Sequence, residues 1–259
     1  MSEVRSAAFR VVIPARLAST RLPEKVLIDL AGKSMLQRVW ERACASRAAQ
    51  VLIATDAPRI AAVARGFGAQ VEMTAASHAS GSERIAEVVR RRCWDAREIV
   101  VNVQADEPLL PPELIDQVAD LLAGDAQADI ATLAEPIHDS ARFRDPSVVK
   151  VVCDLRGRAL YFSRAPIPWV RDAAPGDAPP PNARRHLGLY AYRVAALLAW
   201  TATPVDPAAT LLERAEQLEQ LRALALGMTV RVADARVPSG PDVNTVDDLE
   251  RVRALLRGG

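Results

Sequence analysis

Two short stretches carry the groups best suited to chemistry. The first is VVIPARLASTRLPEKVL, residues 11–27, where an apolar run stops at Pro14 and releases Arg16, Arg21 and Lys25 among small residues. Free backbone N–H groups at a strand end, joined by fixed positive charge, suit a polyphosphate. Pro14 and Pro23 keep the segment out of helix and restrict its freedom, so less entropy is lost on binding. The same residues read alone also describe a solvated basic loop. The second stretch is VVNVQADEP, residues 100–108, an apolar strand that delivers Gln104, Asp106 and Glu107 onto a loop ended by Pro108. A carboxylate at a strand end beside a phosphate loop is a natural Mg2+ ligand, because Mg2+ takes one or two protein oxygens and completes its shell with phosphate and water. The competing reading is a turn whose acids cap the next helix.

Two lesser stretches add to these. HASGSER, residues 78–84, has the look of a helix start, with Ser80 or Ser82 as cap and Arg84 directed to the same cleft. A helix N-terminus there holds an anion, or is simply capped. SGPDVNTVDDLERV, residues 239–252, offers Asp242 and Asn244 just ahead of a helix, as caps or as further metal oxygens. AGKS, residues 31–34, resembles the end of a phosphate-binding loop, but the first glycine of that motif falls at Leu27 and the pattern fails.

The elements that must position these groups follow from periodicity. FRVVIPA, QVLIATD, QVEMT and REIVVNVQ read as strands, near-continuously apolar and separated by amphipathic helices. Such alternation predicts a parallel sheet covered on both faces, with ligands beyond the carboxyl ends of its strands. In the helix at residues 35–46, Leu36, Val39, Trp40 and Ala43 share one face. The middle of the chain differs. ADIATLAEPI, SVVKVVCD, RALYFSR and HLGLYAYR are strand-like, and residues 172–185 form a proline-rich surface loop. TLLERAEQLEQLRALALG, residues 210–227, reads as one long amphipathic helix, with Glu219 and Gln220 on its polar edge. TVDDLERVRALLR reads as a closing helix. The expected architecture is a single α/β domain over residues 1–259, a mostly parallel central sheet with helices on both faces and an inserted β-rich lobe.

Composition narrows the classes. Half of the 259 residues are hydrophobic, enough for a large core. With 33 basic and 32 acidic side chains there is no global field to hold a nucleic-acid backbone, so no nucleic-acid partner is expected. No apolar run approaches the roughly 20 residues of a membrane span, and no membrane partner is expected. The N-terminal MSEVRSAAFR has no apolar signal core, and the three cysteines, Cys44, Cys93 and Cys153, are scattered, as in a reduced cytoplasmic protein.

Taken in order, VVIPARLASTRLPEKVL, IVVNVQADEP, VVKVV, ALYFSRAPIPW, RHLGLYAYR and VNTVDDLERVRALL cover nearly the whole chain. The set resembles the 3-deoxy-manno-octulosonate (Kdo) cytidylyltransferases, of the sugar nucleotidyltransferase type. The resemblance implies a nucleotide-diphospho-sugar transferase fold, a β-rich dimerisation lobe and a homodimer. It implies the reaction CTP + Kdo → CMP-Kdo + diphosphate with Mg2+, serving lipopolysaccharide synthesis in the cytoplasm. By motif matching it puts Ala15, Arg16, Ser19, Arg21 and Lys25 at CTP positions, and Arg84, Gln104, His186, Glu219 and Gln220 at the sugar acid. Ser80 joins the substrate-binding set, Asp106 matches the metal ligand, and Asn244 stands where a second ligand is usually aspartate. Other departures are Glu24 and Ala105 in place of glycine, Ala191 for glycine, and Leu211-Leu212-Glu213 for a PLE-type segment. They leave room for a different sugar acid, such as sialic acid or 8-amino-Kdo, or for a decayed, non-catalytic nucleotide-sugar binder.

Overall fold

The computed structural model describes residues 8–17, 22–174, 176–202, 207–208 and 210–258. Strands β1 (Phe9–Ala15), β2 (Gln50–Thr55), β3 (Gln70–Met73) and β4 (Ile99–Asn102) pair in parallel in the order β3-β2-β1-β4. Side chains of β1, β2 and β4 alternate between two cores, which is why those runs are largely apolar, whereas β3 at the sheet edge is only half-buried. Phe9, Val11, Ile13 and Ala15 enter one cluster, with Leu36 and Val39 of α1 (Met35–Cys44), Ile60 of α2 (Pro58–Gly66) and Leu114 of α4 (Pro112–Ala123). Val12 enters the other, with Ile85 and Val88 of α3 (Gly81–Arg91) and Leu197 of α6 (Val194–Ala202).

Beyond β4 the sheet changes character. Strand β8 (Arg184–Arg193) lies antiparallel between β4 and β5 (Ile130–Pro136), and β9 (Val230–Asp234) pairs in parallel with β5 at the far edge. The sheet is thus mostly parallel, as expected, with one reversed strand near its middle. The expected inserted β-rich element is the antiparallel hairpin of β6 (Lys150–Cys153) and β7 (Ala159–Ser163), joined to β8 where Lys150 faces Arg185. Lys150 is fully buried, and its ammonium donates to the carbonyls of Asp145 (3.0 Å), Val148 (2.5 Å) and Arg164 (2.5 Å). That cage ties the hairpin to the turn after α5 (Ser140–Arg144), a short helix that periodicity did not predict.

One expectation is corrected. The single helix predicted over residues 210–227 is two, α7 (Leu211–Glu216) and α8 (Gln220–Ala225), broken where Gln217 takes a left-handed conformation (φ 52°, ψ 48°). The break lets Leu218 enter the core and brings Glu219 and Gln220 to the head of α8. Gln220 is 5% exposed, so the pair is not a solvent edge.

A third core cluster positions the opening loop. Leu22, Leu30 and Met35 pack with Val243 and with Leu249 and Val252 of α9 (Val246–Gly258). The opening loop and α9 are thereby held together. Among the described residues no helix is long and apolar enough to cross a membrane.

Candidate active site

The loop after β1 closes with a 3-10 turn, Lys25–Leu27, entered through Glu24 in a left-handed conformation (φ 53°). That backbone suits the glycine usual in the resembling family. The Glu24 carboxylate turns to Arg59 and away from the lysine beside it. Lys25 points inward. Its ammonium donates to Asp106 Oδ2 (2.7 Å), the Val243 carbonyl (2.9 Å) and Asn244 Oδ1 (3.3 Å). Val243 N–H in turn donates to the Asp106 carbonyl (3.0 Å), fixing the two loops to each other. Asn244 Nδ2 donates to Asp242 Oδ2 (2.5 Å), and Thr245 with Asp248, not Asn244, caps α9. The basic loop and the acid at 106 therefore meet, as the sequence predicted.

The corner is rich in negative charge. Glu107, beside Asp106, is pushed up to about 8 by burial first and then by the charges of Asp106 and Asp242. A ring of carboxylate, amide and backbone oxygens already closed around a lysine ammonium is a cation site by its donor chemistry. Its two protein side-chain oxygens are what Mg2+ requires when phosphate and water supply the rest. Among the described residues no cluster of three or more His, Cys, Asp or Glu forms a self-sufficient metal site.

Two cavities share Gln104, which stands two residues before Asp106, and the larger also reaches Asn244. The smaller, about 150 Å³, is lined by Ala15, Arg16, His78, Ser80 and Arg84. Arg16 is exposed and makes no ion pair among the described residues. Ser80 caps α3, accepting from Glu83 N–H (3.3 Å). At Gly81 a Cβ would come within 3.1 Å of the Pro14 ring, so the glycine lets the helix start approach the end of β1. The larger cavity, about 670 Å³, is lined by Gln104, His186, Glu219, Gln220, Asp242 and Asn244, and by Arg142, Arg164 and Arg185. Ser82 donates to Glu219 Oε2 (2.8 Å) and so links the start of α3 to the head of α8. Burial raises the Glu219 carboxyl, and its bonds to Ser82 and Ser80 oppose that rise.

The structure thus gathers Lys25, Asp106 and Asn244 at the corner, Ala15, Arg16, Ser80 and Arg84 on one side, and His186, Glu219 and Gln220 on the other. Arg84 stands with the opening loop and not with His186. It is 4% exposed, bonded to Thr74 and 3.4 Å from Asp56. Ser19 and Arg21 lie outside the described residues. Ala105, next to Asp106, is buried in the first core cluster, and its φ is not positive, so the backbone does not demand glycine. AGKS is a tight turn that lines neither cavity, where Ser34 caps α1 and Lys33 pairs with Glu41. The three arginines of the larger cavity were not singled out in the sequence. Arg164 and Arg185 lie within quoted motifs, but no spacing marks them as lining one space.

A strand-end cationic loop, an acid that faces it and a divided cleft beyond a parallel sheet define a nucleotidyltransferase. The family profile described as cytidylyltransferase matches residues 10–230. The 3-deoxy-manno-octulosonate cytidylyltransferase of Cellvibrio japonicus is 56% identical, over 97% of this chain and 99% of its own. That of Pseudomonas syringae pv. syringae is 51% identical, over 98% and 100%. The solved structure of a CMP:2-keto-3-deoxy-manno-octonic acid synthetase complexed with CTP superposes with a TM-score of 0.86 at 39% identity, covering 98% of this chain and 99% of that one. A cytidylyltransferase from Leptospira borgpetersenii, at 15% identity and a TM-score of 0.63, shares the fold. The chain belongs to the 3-deoxy-manno-octulosonate cytidylyltransferase family.

Proposed function

We propose that this chain transfers CMP from CTP to the anomeric hydroxyl of Kdo, releasing diphosphate. The observation that carries the reading is the Lys25–Asp106–Asn244 corner, whose Asn244 lines the larger of two cavities that share Gln104. The opening loop borders one cavity, and His186, Glu219 and Gln220 border the other, which gives donor and acceptor separate spaces that meet at Gln104. The names of the relatives support cytidine as the base and Kdo as the acid.

In the reaction the hydroxyl oxygen bonds to the α-phosphorus, the bond to the leaving diphosphate breaks, and the hydroxyl proton passes to solvent. Little covalent work falls to the protein, so positioning and charge dominate. Asp106 and Asn244 would hold Mg2+, which supplies neutralisation of phosphate charge and a lower pKa for a bound hydroxyl. Lys25 swings from these oxygens to the triphosphate, and Arg16, which makes no ion pair among the described residues, meets the departing diphosphate. Gln104, His186 and Gln220 orient the sugar acid. Arg142 and Arg164 offer guanidinium groups to a carboxylate substrate in the larger cavity, where Arg185 is already paired with Glu135. A second copy of the chain is proposed to cover Leu160 and Trp169, 62% and 71% exposed.

Incubation with CTP, Mg2+ and a panel of Kdo, 8-amino-Kdo and sialic acid, followed by mass spectrometry, tests the assignment. CMP-Kdo is the expected product. Turnover of another acid in preference, or binding without diphosphate release, would reject it.

A further inference from the structure

His186 lines the larger cavity, and what it offers a substrate depends on which ring nitrogen carries the proton. The ring is packed among aromatics, edge-on to Phe162 at 4.9 Å and tilted against Tyr190 at 5.2 Å. Burial, with the nearby Arg185 charge, lowers its pKa to about 3, so the ring is neutral and holds one N–H. Its Nε2 lies 3.0 Å from the hydroxyl of Thr132. Nδ1 has no hydrogen-bond partner among the described residues.

Thr132 is fully buried on β5, at a register irregularity against β8. Between the pairs Thr132–Tyr190 and Ala134–His186, one residue of β5 faces three of β8. Such bulges re-aim side chains near functional sites. The Thr132 hydroxyl lies 2.7 Å from the Leu189 carbonyl and 3.1 Å from that of Leu187. Gln104 Nε2 donates to the carbonyl between them, Gly188 (3.2 Å). A threonine hydroxyl has one proton, and carbonyl oxygens only accept. The proton therefore goes to a carbonyl, the nearer being Leu189, and the Thr132 oxygen is left to accept. Were it aimed at Nε2 instead, a hydroxyl lone pair would oppose two carbonyl oxygens at hydrogen-bond distance. Nε2 must then be the donor.

We propose that Thr132 is a positioning residue of the sugar-acid site. It fixes His186 as the Nε2–H tautomer, so that Nδ1 meets the cavity as an acceptor and selects a substrate hydroxyl. The proposal rests on the assignment of the larger cavity to the sugar acid. It adds that this wall of the cavity requires a group that donates, and that a residue out of reach of the substrate sets the requirement.

The test combines spectroscopy and kinetics. Long-range 1H–15N spectra of the imidazoles, with His186 assigned from His186→Gln, are expected to show the Nε2–H form in the native chain and in Thr132→Ser. Thr132→Val should lose that single form. It should also raise KM for Kdo roughly tenfold, the value of one hydrogen bond, with KM for CTP within about twofold. Thr132→Ser restores the native KM. The Nδ1–H tautomer in the native chain, or a Thr132→Val protein with unchanged tautomer and KM, would overturn the proposal. Failure of the native chain to use Kdo would instead remove the functional assignment, while the native spectrum would still decide the tautomer.

Discussion

Lys25→Met replaces an ammonium held by three oxygens with an uncharged side chain of similar length. At an effective dielectric near 20, two charges 4 Å apart interact by about 4 kcal/mol. The Lys25 and Asp106 side chains are 14% and 28% exposed, so solvent and desolvation reduce the net value to about 1–2 kcal/mol. A divalent ion entering the ligand-free site must displace that ammonium. The variant should therefore bind Mn2+ without nucleotide more tightly, by roughly fivefold to thirtyfold. Its turnover should nonetheless fall by about 100-fold or more, the usual cost of removing one donor to transition-state charge. Loss of the free-ion paramagnetic resonance signal on titration measures the affinity, and Asp106→Asn should abolish the tight binding in either background. Equal or weaker Mn2+ binding by Lys25→Met would refute the claim that the lysine occupies the place of the ion.

Three further outcomes are expected. Glu24→Gly relieves a left-handed non-glycine residue and loses only an exposed pair with Arg59, for a net gain of about 0.5–1 kcal/mol, read as a higher denaturation midpoint. Lys150→Met leaves three buried carbonyls without their donor and should cost about 3 kcal/mol in equilibrium unfolding. Glu135 is raised by burial, yet its bonds to Arg185 and Ser239 hold it below its ordinary 4.5. Its contribution to stability is therefore present above that pH and lost as the pH falls through the lower folded value, and Glu135→Gln should flatten that part of a pH series of unfolding curves.

The parallel half of the fold was legible because β1, β2 and β4 are largely buried on both faces, and such burial leaves a nearly unbroken apolar run; the edge strand β3 is only half-buried. Lys25 and Asp106 were legible because each follows such a run at a strand end. The reversal of β8 was not. An antiparallel strand between two others is as apolar as its neighbours, and Tyr190, Ala191 and Tyr192 carry no sign of direction. The break at Gln217 was also hidden, since no glycine or proline marks it and the helical period runs through it; the demand to bury Leu218 and face Glu219 toward Ser82 overrides local preference. Thr132 carries no signal because its role depends on a register irregularity. The position of Arg84 follows from Thr74 and Asp56, which belong to other elements.

Lys25 and Asn244 lie 219 positions apart and touch only through the packing of α9 on the opening loop. On the ribosome the sheet can begin to assemble early, but the corner stays open until α9 has emerged. A nascent chain would thus hold its nucleotide loop, its acid and most of its cleft without the arrangement that makes them act together. Competence arrives in one late step, when α9 docks.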